Sequence, residues 1–310
     1  MKLKAMTYTY SVTRGCMGLE QLERFRGVVP ALAVPFKGFR IDSELLSEHF
    51  ERLKKAGVDG FFVVATTGFG HVMGLESKLE LVKFAAENKG RAFIIVNVAS
   101  IEFEEVKELA RFSEKVGADA VASNVLYYFR VDAEGAVKYF TKVASLTKLP
   151  FFIYNIPQNT GFNVDPDIVR KVKKEAENLA GVKDSSANLI QIAELTSIEN
   201  LAVFNGADET TLPALIAGAK GYVSALANVA PELFVDLYKS YTSRELGRAV
   251  ELYRKILQLA SILKTMSLNH AVYGALTVIY RRDFQLPDFI RPLRGDEKTK
   301  VEKAIELLEK

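Results

Sequence analysis

Residues 150–157, Pro-Phe-Phe-Ile-Tyr-Asn-Ile-Pro, and residues 180–184, Ala-Gly-Val-Lys-Asp, decide the reading of this chain. Both are short, almost continuous apolar runs. Strands of a parallel sheet covered on both faces have that pattern, because neither face meets water. Both also end in residues that do chemistry: Tyr154 and Asn155 in one, Lys183 and Asp184 in the other. Working outward, comparable runs lie at Gly27–Pro35, Asp59–Ala65, Ala92–Ala99, Asp119–Asn124, Ala202–Asn205 and Gly221–Ser224.

Amphipathic stretches alternate with them. Asp42 is placed to cap a helix reaching Ala56, with Leu45, Leu46, Phe50 and Leu53 on one face. Further helices are expected near Glu76–Glu87, Glu102–Val116, Asp132–Ser145, Asp165–Ala176, Leu189–Thr196, Glu209–Ala217 and Pro231–Tyr241. Asp165-Pro166 pairs an N-cap with a proline at the first helical position, and Gly57, Gly117 and Gly218 suit left-handed helix ends. Eight strand–helix units predict a (β/α)8 TIM barrel over residues 25–241. An open doubly wound sheet would offer a Gly-x-Gly-x-x-Gly turn after its first strand, and none follows Pro35. Residues 242–310 carry helical periodicity only, at Thr242–Leu263, Ser267–Ile279 and Asp296–Leu308, and form a C-terminal helical appendage. Residues 1–24 read as an N-terminal extension, with Met17 an alternative start.

Composition narrows the function. The 41 basic and 38 acidic residues are interspersed and leave a net charge of +3, without the basic stripe that nucleic-acid binding needs. The single cysteine, Cys16, excludes an internal disulfide, and His49, His71 and His270 are too scattered for a metal-ligand pair. No metal and no cofactor is expected. No apolar run reaches the roughly 18 residues of a membrane span and no signal peptide opens the chain, so the expected location is cytoplasmic.

A barrel places its active site at the C-terminal ends of its strands. Lys183 closes the sixth. A lysine desolvated at the barrel mouth has a lowered pKa, and its neutral amine can attack a ketone to form a Schiff base. The plainer alternative is a surface lysine beside Asp184. Tyr154 ends the neighbouring strand, where a phenol could relay protons for that attack or simply fill the core. Thr66, Thr67 and Gly68 offer hydroxyls and closely approaching backbone N–H groups for a carboxylate, unless they are only a turn. Tyr127 and Tyr128 suit an interface or an extended proton relay. His71, His49 and Cys16 are assigned no role.

Taken together, Thr66-Thr67-Gly68, Tyr154-Asn155-Ile156-Pro157 and Gly181-Val182-Lys183-Asp184 resemble the motifs of the dihydrodipicolinate synthase / N-acetylneuraminate lyase superfamily of class I pyruvate-linked aldolases. Arg26–Leu32 resembles its opening strand and Ser224–Pro231 its eighth-strand segment. The resemblance implies that Lys183 is the Schiff-base lysine, that Tyr154, Thr66 and Tyr128 form its hydroxyl relay, and that Thr67 holds the pyruvate carboxylate. It also implies that backbone at Gly206 and Val223 faces the site. Relatives supply the loop tyrosine from a neighbouring subunit, which implies a homotetramer built as a dimer of dimers. Two departures stand out. Phe69 replaces the acidic residue usual after the Thr-Thr-Gly turn, and Phe69-Gly70 resembles the archaeal 2-keto-3-deoxygluconate aldolases. Asn159 stands where synthases carry an arginine for the carboxylate of aspartate semialdehyde, and it suits hydroxyls better.

The expected activity is therefore reversible cleavage of a 2-keto-3-deoxy sugar acid, or a related 2-oxo acid, to pyruvate and an aldehyde. The 4-hydroxy-tetrahydrodipicolinate synthase reaction, pyruvate plus aspartate semialdehyde, is the alternative. A non-catalytic 2-oxo-acid binding paralogue is the reading from another class.

Overall fold

The structure, a computed structural model, describes residues 22–308, so Cys16, Met17 and nearly all of the expected extension lie outside it. Eight parallel strands form one sheet: β1 (Gly27–Pro30), β2 (Gly60–Val63), β3 (Phe93–Asn97), β4 (Ala120–Asn124), β5 (Phe151–Asn155), β6 (Leu179–Asp184), β7 (Ala202–Asn205) and β8 (Gly221–Ser224). Neighbours pair in sequence order from β2 to β8, and β8 pairs with β1. The ring closes where Ala31 bridges Phe62 and the Leu32 N–H donates to the Phe62 carbonyl at 3.0 Å. This is the expected TIM barrel.

Around it run α1 (Ser43–Ala56), α2 (Leu75–Asn88), α3 (Phe103–Lys115), α4 (Ala133–Ala144), α5 (Pro166–Glu175), α6 (Leu189–Thr196), α7 (Thr211–Ile216) and α8 (Pro231–Thr242). The caps act as their chemistry requires. Asp42, Asp132 and Asp165 each accept a first-turn N–H, and Gly57, past the end of α1, is left-handed at φ 90°. Among the boundaries that differ from expectation, β1 ends at Pro30 and not at Pro35, and two others bear on the site and its surroundings. The first half-turn expected in α7 is a tighter 3-10 turn, Asp208–Thr210, which sets Asp208 at the barrel mouth. The helix expected from Thr242 starts at Leu246, because Arg244 turns left-handed at φ 64° and breaks the chain between α8 and α9 (Leu246–Leu263). Periodicity runs unbroken across such a single-residue reversal, so it left no mark in the pattern.

The remaining helices are α10 (Leu268–Tyr280) and α11 (Gly295–Glu306). The appendage is bound into the barrel. The Tyr273 hydroxyl donates to the Val34 carbonyl at 2.7 Å, and the Asn269 amide donates to the Thr66 carbonyl at 2.9 Å. Fully buried His49 links α1 to both sides, with one ring nitrogen 2.9 Å from the Tyr280 hydroxyl and the other 3.1 Å from Asn228 Oδ1. Burial holds its pKa down at about 3, so it stays neutral and structural.

One irregularity sets the direction of the central side chains. Phe151 of β5 pairs with Leu179 of β6, but Phe152 pairs with Gly181, so Ala180 is an extra residue, a β-bulge. Before the bulge Leu179 faces the helices and Ala180 the barrel interior. After it the alternation restarts: Val182 faces the helices and Lys183 pairs with inward-facing Tyr154. Without the bulge Lys183 would point outward, since a one-residue slip exchanges the faces of a strand. Glycine is required beside it. A Cβ at Gly181 would lie 2.2 Å from the Phe152 ring and 2.3 Å from the Ala202 carbonyl oxygen. The Gly181→Ala variant is therefore expected to lose about 1–3 kcal/mol of stability through overpacking, read as a lower urea midpoint. An unchanged midpoint would contradict this packing.

Candidate active site

Lys183 is 4% exposed, and its ammonium nitrogen sits 3.9 Å from the centre of the Tyr154 ring and 4.2 Å from that of Phe62. Asp184 does not pair with it. That carboxylate is turned toward the helix layer, where Asn155 Nδ2 (2.9 Å), Gln191 Nε2 (2.5 Å) and the Ser186 N–H (2.9 Å) all donate to it. The surface-lysine reading therefore fails. Burial drives the Lys183 pKa down to about 7, against the pull of the Asp208 carboxylate. Near neutral pH a large fraction of this amine is uncharged and nucleophilic.

Tyr154 is buried, which pushes its phenol up to about 12 and keeps the proton in place. Its hydroxyl lies 3.4 Å from Thr66 Oγ1, a long contact at the loose end of hydrogen bonding. The Thr66-Thr67-Gly68 turn is held by Phe69 N–H to Thr66 O (3.1 Å) and Gly70 N–H to Ala65 O (3.0 Å), as well as by Asn269. Thr67 is buried, and among the described residues its hydroxyl has no hydrogen-bond partner, so it is uncommitted. A Cβ on Gly68 would lie 2.5 Å from the Leu32 carbonyl oxygen, so only glycine lets the turn close over β1. Phe69 is left-handed at φ 57° and packs against Tyr273 and Phe36, at 5.4 and 6.5 Å between ring centres. It belongs to the seat of α10, which is why it says little about the second substrate.

The other expected residues are more dispersed. Val223 is buried in the barrel interior with Tyr154. The Gly206 N–H is taken by the Asp184 carbonyl at 2.6 Å, so that group is not free for substrate; a Cβ there would strike Ser185 Oγ at 2.1 Å. Asn159 is exposed on a short helix, Pro157–Thr160, at the outer lip of the mouth. Tyr128 is 89% exposed, left-handed at φ 78°, and edge-on to Phe129 at 5.1 Å. It does not join Thr66 and Tyr154 within this chain. His71 stacks edge-on with Tyr127 at 4.9 Å, and burial lowers its pKa to about 4.

Three residues escaped the sequence reading. Asp208 is a carboxylate, 4% exposed, that accepts from the Ser224 hydroxyl at 2.5 Å; burial outweighs that bond and raises its pKa to about 6. It lies only three residues beyond β7, so a longer view past each strand end would have found it. Ser185 lies near the Tyr154 phenol and helps to moderate its pKa. Asn269 comes from the appendage and left no signal in the barrel repeat. Among the described residues no cluster of ligands suited to a metal ion is present, and no helix is long and apolar enough to cross a membrane.

A barrel with a buried amine at the end of β6 agrees with what the chain is similar to. Residues 24–308 match the dihydrodipicolinate synthetase family. A 4-hydroxy-tetrahydrodipicolinate synthase of Methanocaldococcus jannaschii is 36% identical over 236 residues, 76% of this chain and 82% of that one. A crystal structure of dihydrodipicolinate synthase superposes with a TM-score of 0.87 at 32% identity, covering 92% of this chain and 99% of the other. A monomeric dihydrodipicolinate synthase variant superposes equally well, TM-score 0.87, at 26% identity over 94% of this chain and 99% of that one. These relatives carry synthase names and lend no support to special kinship with the 2-keto-3-deoxygluconate aldolases. The chain belongs to the dihydrodipicolinate synthetase family of class I pyruvate-dependent lyases.

Proposed function

We propose that Lys183 forms an iminium with the keto carbon of pyruvate and that the derived enamine is joined reversibly to an aldehyde. The observation that carries this is the unpaired Lys183 amine, buried against the Tyr154 ring with a pKa of about 7. The amine attacks the ketone and water leaves. The Tyr154 phenol, ranged with Thr66, hands on the protons of both steps. Thr67 and the turn around Gly68 hold the carboxylate. Gly206 and Val223 shape the floor.

For the aldehyde, the names of the relatives support aspartate semialdehyde, which makes the chain a 4-hydroxy-tetrahydrodipicolinate synthase. This replaces the sugar-acid cleavage that the sequence favoured. The sugar-type aldehyde remains as a second reading on two observations: the mouth offers Asn159 where an arginine would clamp a carboxylate, and Asp208 would repel one. Condensation of pyruvate with aspartate semialdehyde, measured beside cleavage of 2-keto-3-deoxygluconate, separates them. The synthase reading predicts a kcat/KM at least tenfold higher for the former, and the reverse order would favour the sugar.

The chain is further proposed to act as a homodimer, paired into a tetramer, with Tyr128 completing the relay of its neighbour. Its exposure supports this, as does the patch it forms with Phe129 on the β4–α4 loop.

Two further outcomes follow. Pyruvate and borohydride should leave a reduced adduct on Lys183, located by peptide mass spectrometry, and its rate should rise with pH through about 7 and then level off, following the free amine. An adduct on another lysine would overturn the assignment. Lysine burial also has a linkage consequence. The unfolded chain holds this proton up to the ordinary lysine pKa and the folded one only to about 7, so stability contributed by this residue rises with pH between the two. Lys183→Met should therefore be inactive yet more stable, by on the order of 5 kcal/mol below pH 7, with the gain shrinking as pH climbs toward 10.

A further inference from the structure

A second cavity lies outside the catalytic mouth. It occupies about 600 Å³ between α10, α11 and the segment that joins them. That is the size of a small-molecule site. One wall is a single face of α10: His270, Tyr273, Gly274, Thr277 and Val278 recur at helical spacing. Opposite stand Phe284, Leu293 and Val301, so most of the wall is apolar.

One feature of this cavity is unexplained by folding, and a second bears on what would fill it. Both ring nitrogens of His270 are buried, and among the described residues neither has a hydrogen-bond partner. An imidazole stripped of water and left unpaired is costly, and such groups point to a missing ligand atom. The rim is also charged and unpaired. Asp283, Asp288 and Glu302 line it with Lys298; all four are exposed, and among the described residues none enters an ion pair or side-chain hydrogen bond. By contrast, the nearby Arg291 and Arg294 are both spent on Glu297 at 2.8 and 3.0 Å, and Arg282 on Glu44 and Glu48 at 3.3 and 3.1 Å. Three free carboxylates against one ammonium leave the opening net negative, which selects a cation and repels a carboxylate.

We propose that this cavity binds a small primary amine with an apolar chain. The chain lies against Tyr273, Phe284 and Leu293. The ammonium is drawn by the rim carboxylates, and its N–H groups satisfy the acceptor nitrogen of His270. The site is separate from the pyruvate site but shares a helix with it, since Asn269, next to His270, holds the Thr66 carbonyl.

The test uses the full chain without pyruvate, and n-hexylamine as the probe. Thermal melting is followed as n-hexylamine, hexanoate or hexanol is added at matched ionic strength, up to about 10 mM, the affinity range open to a ligand of this size. The amine should raise Tm saturably, and the two others should not. Val278→Trp, which plugs the cavity from a partly exposed wall position, should abolish the shift. A variant with Asp283→Asn, Asp288→Asn and Glu302→Gln should weaken it at least tenfold. Borohydride trapping of pyruvate on Lys183 in each variant establishes that the protein is folded and the catalytic site intact. The proposal is overturned by no saturable shift, by an equal shift with hexanoate or hexanol, or by a shift that survives both variants.

Discussion

The extra residue in β6 is the constraint on which the rest of the site depends. Strand alternation is rigid, and a strand that packs Leu179 against the helices would have to turn Lys183 outward too. Ala180 resets the count. The cost is local crowding, because Ala180 and Gly181 then both face inward, and only a residue without a Cβ fits beside Phe152. In return the amine is delivered over Tyr154 and Phe62, into a layer of the barrel that excludes water. The lowered pKa is a consequence of that placement. A pathway of cause thus runs from one inserted alanine to a nucleophile that is free at neutral pH.

The same layer shows why a barrel tolerates an unpaired buried lysine. Its interior is closed by aromatic side chains, Phe25, Phe62, Phe93, Phe152 and Phe204, whose burial supplies stabilisation well beyond what one desolvated amine costs. The ring faces beneath Lys183 also attract the ammonium whenever it is protonated. Asp208 stands near enough to pull on the charge, yet burial and Ser224 hold it in its own balance between charged and neutral forms.

Much of this was legible in the sequence because barrels repeat. Each strand is an apolar run, several helices begin at a capping aspartate, and the C-terminal strand ends are where polar residues collect; that rule singles out Lys183, Tyr154 and the Thr-Thr-Gly turn as candidates. What was missed does not repeat. Asp208 sits in a 3-10 turn beyond its strand, and the break at Arg244 interrupts a face that stays in register on both sides. Asn269 acts across 203 residues of sequence, a distance over which no local pattern carries information. The bulge was hidden for a different reason. Ala180-Gly181-Val182 is apolar throughout, so its hydrophobic pattern is the same whichever residue is the extra one.

Phe69 shows how a specificity signal can mislead. Read by position, it stands where the resemblance leads one to expect an acidic residue. Its backbone is left-handed and its ring is gripped by Tyr273 and Phe36, so it faces the appendage. Tyr273 also donates to Val34 beyond the end of β1, and the next residue but three toward the helix start, Asn269, holds Thr66. The turn that carries Thr66 and Thr67 is thus clamped from outside the barrel by α10. Phe69 thus contributes to the docking of that helix rather than to the lining around Lys183. A signal for the second substrate is better sought in groups at the mouth itself, where among the described residues the Asp208 carboxylate acts on Lys183.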